Sequence, residues 1–564
     1  MKNVQKRSID FKRILLATTC FLIGITASIY GQEESVYVSE VHVSDNGDGT
    51  YTNPILHADY SDPDVVKVGD DFYMTASSFN AVPGLPILHS KDLVNWELVN
   101  HALPNLHPIK HFKEPQHGNG VWAPSIRYHD GEYYIFWGDP DFGIYMVKTD
   151  DPEGEWSEPH LVKGGKGLID PSPLWDDDGR AYITHAYARS RSGINTVLVV
   201  QEMKPDASGM IGDPVLVFDG HDGNRVVEGP KFKKYNDTYY ILAPAGGVTE
   251  GWQLAMRSDN VFGPYEAKTV LHQGSTNING PHQGGLVKLD SGESWFVHFQ
   301  DKGVYGRIVH LNPVNWKDGW PMMGKDLNND GIGEPVKTHQ KPDVGNVEWA
   351  IQTPPETDEF ESEKLGLQWQ WHGNPESTWA LTSRFGFLRL YGKPLPEGTK
   401  NLWDVPGLLL QKFPAPEFRA TTKLEFTSHM YGEKAGLIVM GEGYSYLSVT
   451  HQRDGMYVSQ VITEDADAGN PEEEIEGEFV DTDELWFRVD VTEGGESQFS
   501  YSTDGQNFET IGQPFAAKEG RWIGAKVGLF ANHPRNGDAE DYIDYSSQYS
   551  GFADFDFFRV TPVE

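Results

Sequence analysis

Three carboxylates in this sequence have the residue types that acid–base hydrolysis requires. Asp62 and Asp170 each stand before a proline, and Glu228 follows two valines in a strand-like run. Cleavage of a glycosidic bond needs two carboxyl groups, a protonated one that donates to the leaving oxygen and an ionised one. Asp62 and Glu228 are the natural pair. A third carboxylate, Asp170, would raise the pKa of the acid by like-charge repulsion.

Four further side chains have the chemistry of a sugar-binding pocket. Trp122 and Phe79 would offer apolar faces to a sugar ring, and Arg307 would hold its hydroxyls with a fixed fork of donors. His282 is the fourth candidate. The sequence contains no phosphate-binding loop, no HExxH and no cysteine ligand set, so phosphoryl transfer and zinc-dependent hydrolysis lack support.

An internal repeat indicates the elements that must position these residues. An acidic or amide turn followed by aromatic or β-branched residues recurs five times, at intervals of 48 to 60 residues. This spacing is too long for one hairpin and is typical of a four-stranded propeller blade. The repeat predicts an all-β fold with a five-bladed β-propeller over about residues 48–340. The five matches are DDFYMTA from Asp70, DGEYYIF from Asp130, DGRAYIT from Asp178, NDTYYIL from Asn236 and DSGESWFVHF from Asp290.

The repeat also predicts which residues meet. Counting back eight residues from each turn reaches the start of the strand that enters it. In a propeller these starts surround one axis, so equivalent positions should share a central mouth. The sequence therefore predicts that three carboxylates, an aromatic ring and a histidine line one pocket. The five positions are Asp62, Trp122, Asp170, Glu228 and His282.

Each of these residues also has a structural interpretation. Asp62 and Asp170 both form Asp-Pro dipeptides, which are ordinary turn signals because Asp bonds its own backbone and Pro fixes φ. Trp122 alone is more often a core residue, and a lone histidine such as His282 is more often a hydrogen-bonded structural group. A charge at Glu228 inside an apolar run needs a partner, a shifted pKa or water. Because all five residues occupy the same position relative to their turns, a shared pocket is favoured over five separate structural roles.

Six segments resemble glycoside hydrolase family 43, in the family's order. The resemblance implies a five-bladed propeller and single-displacement hydrolysis with inversion. By motif, Asp62 is similar to the general base, Glu228 to the general acid, and Asp170 to the residue that tunes the pKa of the acid and orients it. The segments are NPILHADYSDPDVV from Asn53, WAPSI from Trp122, LIDPSPLWDDDGRAY from Leu168, VVEGPKF from Val226, GPHQGG from Gly280 and YGRIVHLNPVNWKDGWPMM from Tyr305.

The resemblance also bears on the remaining candidates and on cofactors. Arg307 matches an arginine that contacts the terminal sugar, and His282 matches an axial histidine that helps some members hold a hydrated cation. The resemblance implies that no cofactor is required. The one ion that it suggests is a structural Ca²⁺ at the propeller axis. A separate stretch from Asp326, DLNNDGIGEPVK, has Lys337 where an EF-hand has its bidentate Glu, which favours a solvated Asx-rich turn.

A second domain is predicted after the propeller. Prolines in residues 341–357 indicate a linker, and alternating segments over 358–564 predict a β-sandwich. The ending ADFDFFRV resembles the concanavalin A-like jelly roll attached to family members of the xylosidase branch. Its tryptophans are expected to be core residues, with a carbohydrate-binding face as the alternative; they are Trp369, Trp371 and Trp379. The loop near residue 540 is predicted to be an exposed insertion that could lip the pocket.

The N-terminal residues predict export. A basic start precedes an apolar run from Ile14 to Ile29, which is short for a membrane span, so residues 1–31 are interpreted as a secretory signal peptide. A membrane anchor is the alternative. Residues 32–47 would form an N-terminal extension. The only cysteine, Cys20, lies inside the signal, so the mature chain would have no disulfide. We expect a soluble protein in the periplasm or outside the cell.

Charge restricts the partners. The formal net charge is −37, from 46 Lys and Arg against 83 Asp and Glu, which disfavours nucleic acids, anionic membranes and polyuronates. We expect an inverting exo-glycosidase that releases terminal xylose or arabinofuranose from hemicellulose oligosaccharides derived from xylan, arabinoxylan or xyloglucan. The alternatives are an endo-arabinanase or galactanase on the same scaffold, and a carbohydrate-binding propeller without turnover. The sequence does not indicate the oligomeric state.

Overall fold

Tight hairpins with the predicted turn chemistry build the N-terminal part of the chain. Asp130 and Gly131 have φ values of 49° and 87°, and Asn236 and Asp237 have 49° and 63°. Positive φ at both turn positions defines the hairpin turn that matches the twist of the flanking strands, and it favours Asn, Asp and Gly. The recurring turns of the sequence are therefore the tips of real hairpins.

The computed structural model describes residues 36–345, 347–383, 386–534, 542–543 and 550–563. The predicted signal peptide and most of the loop near residue 540 lie outside the described residues. Within the described ranges, no helix is long and apolar enough to cross a membrane.

Five sheets of four antiparallel strands follow one another, and strands adjacent in sequence are adjacent in each sheet. The chain enters through β1 (Thr50–Thr52). The first two sheets are β2 (Asp64–Val68), β3 (Asp71–Thr75), β4 (Gly84–Ser90) and β5 (Trp96–Leu103), then β6 (Trp122–His129), β7 (Glu132–Asp139), β8 (Gly143–Thr149) and β9 (His160–Gly164). The third is β10 (Leu168–Trp175), β11 (Ala181–Tyr187), β12 (Val197–Met203) and β13 (Met210–Asp219), with the short helix α1 (Arg189–Ser192) after β11. The last two are β14 (Lys231–Tyr235), β15 (Thr238–Ala245), β16 (Trp252–Ser258) and β17 (Glu266–Leu271), then β18 (His282–Lys288), β19 (Ser294–Asp301), β20 (Arg307–Lys317) and β21 (Trp320–Met323).

The five sheets form a closed ring. The inner strands pack in sequence, β2 on β6, β6 on β10 and β10 on β14, and β18 packs on β15 of the fourth sheet and back on β2. Strand β22 (Thr338–Gln340) pairs antiparallel with β1, with Thr50 opposite Gln340, so the two ends of the ring are joined. The predicted five-bladed β-propeller is confirmed.

A buried polar network ties the inner strands together around the axis. Arg127 of β6 donates to Asp64 of β2 at 2.5 Å and to Ser172 of β10 at 2.7 Å. Ser172 in turn accepts the backbone N–H of Phe232 in β14 at 2.9 Å. Asp64 and Ser172 are fully buried and Arg127 is nearly so. One guanidinium thus connects four blades below the level of the candidate carboxylates.

Two eight-stranded sheets form the C-terminal β-sandwich. Its strands are β23 (Gln370–Trp371), β24 (Ala380–Ser383), β25 (Phe387–Tyr391), β26 (Lys393–Pro394), β27 (Leu409–Lys412), β28 (Phe418–Thr427), β29 (Lys434–Met440), β30 (Tyr444–Gln452), β31 (Gly455–Thr463), β32 (Glu473–Val480), β33 (Glu484–Thr492), β34 (Glu496–Ser502), β35 (Glu509–Thr510), β36 (Phe515–Ala516), β37 (Lys526–His533) and β38 (Phe552–Thr561). One sheet contains β23, β26, β27, β29–β32 and β37, and the other contains β24, β25, β28, β33–β36 and β38. The predicted sandwich is confirmed.

The tryptophans of the sandwich belong to its interior. Trp369, Trp371 and Trp379 are all buried and join the main apolar cluster, as expected for core residues. Trp371 also exchanges backbone hydrogen bonds with Val82 of the propeller, at 2.6 and 3.0 Å. The same apolar cluster contains propeller residues such as Leu85. The propeller and the sandwich therefore share packed core rather than a flexible joint.

The acidic stretch after blade five is a hydrogen-bonded turn. Asp326 accepts the N–H of Gly331 at 3.1 Å, Asn328 accepts that of Asp330 at 3.0 Å, and Asp330 accepts that of Ile332 at 2.8 Å. These contacts are those of the Asx-rich turn that the sequence favours.

Replacing the axial guanidinium tests how far the network stabilises the propeller. Arg127→Met leaves the buried Asp64 without its main partner, which should cost about 3–5 kcal/mol. We expect a fall of several degrees in Tm by calorimetry. Arg180→Met is the matched control, because Arg180 pairs with Glu202 at 2.6 Å but is half exposed, and such pairs contribute about 0–1 kcal/mol. Equal effects of the two substitutions would contradict the account.

Candidate active site

Each inner strand is entered through a residue in the left-handed region. The five residues occupy equivalent places in the five blades, and four of them are followed by proline. A non-glycine residue with positive φ carries strain, and such residues cluster at functional sites. The residues and their φ values are Asp62 (54°), Ala123 (38°), Asp170 (57°), Gly229 (58°) and Gln283 (37°).

The structure shifts the predicted register by one residue in three blades. Counting from the turns reached Asp62 and Asp170, which are left-handed, but Trp122, Glu228 and His282 stand one residue before the equivalent position. In blades two and four the reason is the place of the marker residue within the two-residue turn. In blade one the acidic marker Asp70 is the second turn residue, between the paired Val68 and Asp71, whereas Asp130 and Asn236 are the first residues of their turns.

Four of the five counted residues still reach one cavity. A pocket of about 220 Å³ lies at the mouth of the axis and is lined by Asp62, Trp122, Asp170 and Glu228. The left-handed residue breaks the alternation of the strand, so side chains at both neighbouring positions can face the mouth. Phe79 and Arg307 also line this pocket. His282 is 1% exposed and is not among the lining residues that the structure describes.

Asp62 is held by hydroxyl groups. Its Oδ2 accepts hydrogen bonds from Ser61 at 2.7 Å and from Ser77 at 2.6 Å, and lies 3.6 Å from the guanidinium of Arg307. Ser77 also accepts the backbone N–H of Ala123 in the next blade at 2.7 Å. The carboxylate therefore has a fixed orientation at the pocket floor.

Asp170 and Glu228 form an acidic pair in which the pKa of each carboxyl group is raised. Burial raises the pKa of Glu228 well above its ordinary 4.5, and the charges of Asp170 and Asp62 raise it further. Burial and the charge of Asp62 likewise raise the pKa of Asp170, although its carboxylate accepts the N–H of Gly229 at 2.8 Å. The side chain of Glu228 is 29% exposed and opens into the pocket. One proton is thus retained at a carboxyl group that a ligand can reach.

Aromatic rings and one cation form the walls. The guanidinium carbon of Arg307 lies 5.9 Å from the ring centre of Phe79 and 5.9 Å from that of Trp522. Phe79 and Trp122 meet edge to face at 6.4 Å, and Trp122 donates to the carbonyl of Gly118 at 2.8 Å. These faces fit the apolar sides of a sugar ring, and Arg307 supplies donors for its hydroxyls.

His282 lies beneath the acidic pair rather than on the pocket wall. Its Nε2 is 3.8 Å from Oε1 of Glu228, and neither ring nitrogen has a hydrogen-bond partner among the described residues. Burial lowers its pKa to about 3, so the ring is neutral and a nitrogen lone pair is available. No group of three or more His, Cys, Asp or Glu side chains suited to a metal occurs in the described part of the chain. These side chains fit an ion held through water by one imidazole, not a cage of protein ligands.

Sequence reasoning missed several wall residues. Trp522 comes from the sandwich, and no local signal could place it beside a propeller pocket. Arg189, Ser190 and Asn195 follow β11 in blade three and also line the pocket. Gln283 does have a signal, because it stands one residue after His282 and the corrected register brings it to the mouth.

Comparisons with known proteins agree with this geometry. Residues 51–321 match the family model of glycosyl hydrolases family 43, and residues 357–561 match that of the beta xylosidase C-terminal concanavalin A-like domain. The first range covers the propeller from within β1 to the start of β21, and the second contains all the sandwich strands.

Individual relatives cover most of the chain. A beta-xylosidase of Formosa agariphila is 32% identical, over 91% of this chain and 90% of the relative. A non-reducing end alpha-L-arabinofuranosidase of Bacteroides ovatus is 33% identical, over 73% of this chain and 78% of the relative. The crystal structure of xylan beta-1,4-xylosidase from Bacillus halodurans superposes with a TM-score of 0.78 at 26% identity, covering 90% of this chain and 99% of that one. With its propeller, its sandwich and a pocket of three carboxylates, the chain belongs to glycosyl hydrolases family 43 and is a glycoside hydrolase.

Proposed function

We propose that this glycoside hydrolase is an exported, inverting exo-enzyme that releases terminal xylose or arabinofuranose from hemicellulose. The observation that carries the proposal is the pocket in which Glu228, with a raised pKa, shares one cavity with Asp62. A carboxyl group that keeps its proton beside one that orients water is the requirement for acid–base cleavage of a glycosidic bond.

The proposed steps need only these side chains and one water molecule. Glu228 donates its proton to the glycosidic oxygen as the bond from that oxygen to the anomeric carbon breaks. Asp62 accepts a proton from water, whose oxygen forms the new bond to the anomeric carbon from the opposite face. The products are the leaving alcohol and a sugar of inverted configuration, and proton exchange with solvent restores both carboxyl groups. Asp170 raises the pKa of Glu228 and orients it.

The size and lining of the pocket support action at chain ends. About 220 Å³ is small beside the ~300–1,000 Å³ of ordinary ligand pockets, so it suits one sugar ring better than a chain lying along a cleft. Phe79 and Trp122 would contact the ring faces and Arg307 its hydroxyls. In this proposal the neutral ring of His282 packs against the carboxyl group of Glu228 beneath the pocket. The proposed steps assign no role to a cation. An endo-acting enzyme would need an open groove at the same mouth.

The substrate class follows from charge and from relatives. The net charge of −37 disfavours anionic polysaccharides and so favours neutral ones. The two relatives compared above are named for xylose and for arabinofuranose, and both sugars present similar hydroxyls to a small pocket. Export is proposed from the basic and apolar N-terminal segment.

Replacing the two carboxyl groups tests their roles. We expect wild-type protein to hydrolyse a chromogenic β-xyloside, an α-L-arabinofuranoside or both, and Asp62→Asn to lower kcat by roughly 10²–10⁴-fold. Glu228→Gln should be impaired most on natural oligosaccharides and less on nitrophenyl glycosides, whose leaving group needs little protonation. Proton NMR of the first product should show the inverted anomer.

Glu202→Gln is the control, because Glu202 pairs with Arg180 on the outer part of blade three and does not line the pocket. Retained wild-type rates in Asp62→Asn would refute the assignment of the base, and a product of unchanged configuration would refute inversion. If wild-type protein hydrolyses neither substrate, the proposed specificity fails.

The pH dependence tests the role of Asp170. The acid must be protonated, so kcat/KM falls as pH rises through the pKa of Glu228. Asp170→Asn removes a negative neighbour, which lowers that pKa and should move the basic limb of the profile to lower pH, while burial keeps it above 4.5. Asp176→Asn is the control. Asp176 directly follows β10, the strand that carries Asp170, and its buried carboxylate contacts Lys234 of β14 outside the pocket. A basic limb that stays in place in Asp170→Asn would be incompatible with this role.

A further inference from the structure

One turn of the sandwich reaches the candidate active site. Trp522 has a φ of 65°, lines the pocket and lies 5.9 Å from the guanidinium of Arg307. Trp522 is 46% exposed, so packing alone does not hold its side chain in place. A fixed pocket wall therefore needs another contact close to this turn.

Asp59 provides that contact from the propeller. Its Oδ1 accepts the backbone N–H of Arg307 at 2.9 Å, and its Oδ2 accepts that of Gly524 at 3.0 Å. The residue is 7% exposed. Hydrogen bonds to a carboxylate are stronger than neutral ones, and one carboxylate here bonds the residue that bears the pocket cation and a residue beside Trp522. We call Asp59, Arg307 and the turn from Trp522 to Gly524 the clasp.

Two glycines let the backbones approach within this clasp. A Cβ on Gly306 would lie 2.5 Å from the nitrogen of Gly524 and 2.6 Å from Cγ of Asp59. A Cβ on Gly524 would lie 2.5 Å from the carbonyl carbon of Tyr305. Neither position can carry a side chain without moving backbone atoms, so the clasp is a built contact rather than a chance meeting of loops.

Buried charges of the sandwich also face Asp59. Burial lowers the pKa of Lys412 to about 8 and that of Lys526 to about 7, and the negative charge of Asp59 acts in the opposite direction, towards their protonated forms. Lys412 donates to Gln370 at 3.1 Å and lies 4.9 Å from the ring centre of Tyr60. Removing the charge of Asp59 will therefore cost stability as well, and any test must separate the two effects.

We propose that Asp59 is a positioning residue, whose carboxylate clasps the Trp522 turn to Arg307 and so fixes the wall against which the terminal sugar binds. This inference rests on the proposed function, because the wall matters to turnover only if a sugar occupies the pocket. Asp59 does not line the pocket, so it acts through Arg307 and Trp522.

A double-mutant cycle tests the proposal. Asp59→Asn keeps one acceptor oxygen and turns an amide group towards the other N–H, so the clasp opens on one side. With a chromogenic β-xyloside we expect KM to rise about tenfold, the ratio that the loss of one hydrogen bond to a charged group produces, while kcat changes much less. In the Trp522→Ala background, the factor by which Asp59→Asn raises KM should be at least threefold smaller than in the wild-type background. An undiminished effect in that background would overturn the proposal.

A matched carboxylate separates positioning from stability. Asp358 is a half-buried acid of the sandwich that accepts the N–H of Phe360 at 2.8 Å and that of the Trp369 ring at 2.9 Å, and it does not line the active-site pocket. Asp358→Asn should lower Tm and leave KM unchanged. If Asp358→Asn raises KM as Asp59→Asn does, the effect is general destabilisation and the clasp has no special role.

A readout that needs no turnover keeps the test independent of the proposed function. The quenching of Trp522 by acrylamide is measured as the difference between wild-type protein and Trp522→Phe. When both proteins also carry Asp59→Asn, this difference should increase. Gly524→Ala opens the clasp from the sandwich side and should do the same if Asp59→Asn does not fold. If quenching is unchanged in the folded variants, the proposal is contradicted. If quenching increases but wild-type protein shows no hydrolysis, only the proposed function is contradicted.

Discussion

The burial of three carboxyl groups in one pocket is the constraint on which the rest of the structure depends. Like charges in a water-poor cavity repel, so the pocket is stable only if a proton is retained there or cations lie near. Both occur. Arg307 and the buried Lys231 act to lower the pKa of Asp170, while burial and the charge of Asp62 act to raise it, and the upward influences prevail. The acid catalysis proposed for this pocket depends on a proton retained in the same way at Glu228.

The propeller supplies the rigid frame that this repulsion requires. Left-handed residues, mostly before proline, begin the inner strands and turn the side chains of Asp62 and Asp170 towards the mouth. Below them, Arg127 joins Asp64 to Ser172 and so holds neighbouring blades at fixed distances. Separating the blades would expose that ion pair to water. The positions of the acids and the stability of the ring therefore both depend on Arg127 and its partners.

The fold was predictable from sequence because its signals are local. Hairpin turns need particular residues at positive φ, and five such turns at blade-length spacing are sufficient to predict a propeller. The register was less certain, because an acidic residue can take either place in a two-residue turn. That ambiguity put Trp122 and Glu228 one position away from their geometric equivalents, yet left them at the pocket. In blade five the turn between the paired Lys288 and Ser294 has five residues, and the count there reached His282, one position before its geometric equivalent.

Contacts between the two domains could not have been predicted in this way. Asp59 and Gly524 are 465 residues apart, and neither has a local signal that points to the other. Trp522 resembles any exposed aromatic residue until the sandwich is placed against the propeller. The shared apolar core fixes that placement, and it allows a turn of the sandwich to form part of the candidate active-site pocket.

The most direct test of the account is the protonation state of Glu228 itself. Protein labelled with ¹³C at glutamate carboxyl carbons, titrated by NMR beside Glu228→Gln, isolates the one signal that the variant lacks. The account predicts that this carboxyl group keeps its proton well above the ordinary glutamate pKa of 4.5. Titration of that signal at or below 4.5 would contradict the central claim, because Glu228 would then hold no proton to donate near neutral pH.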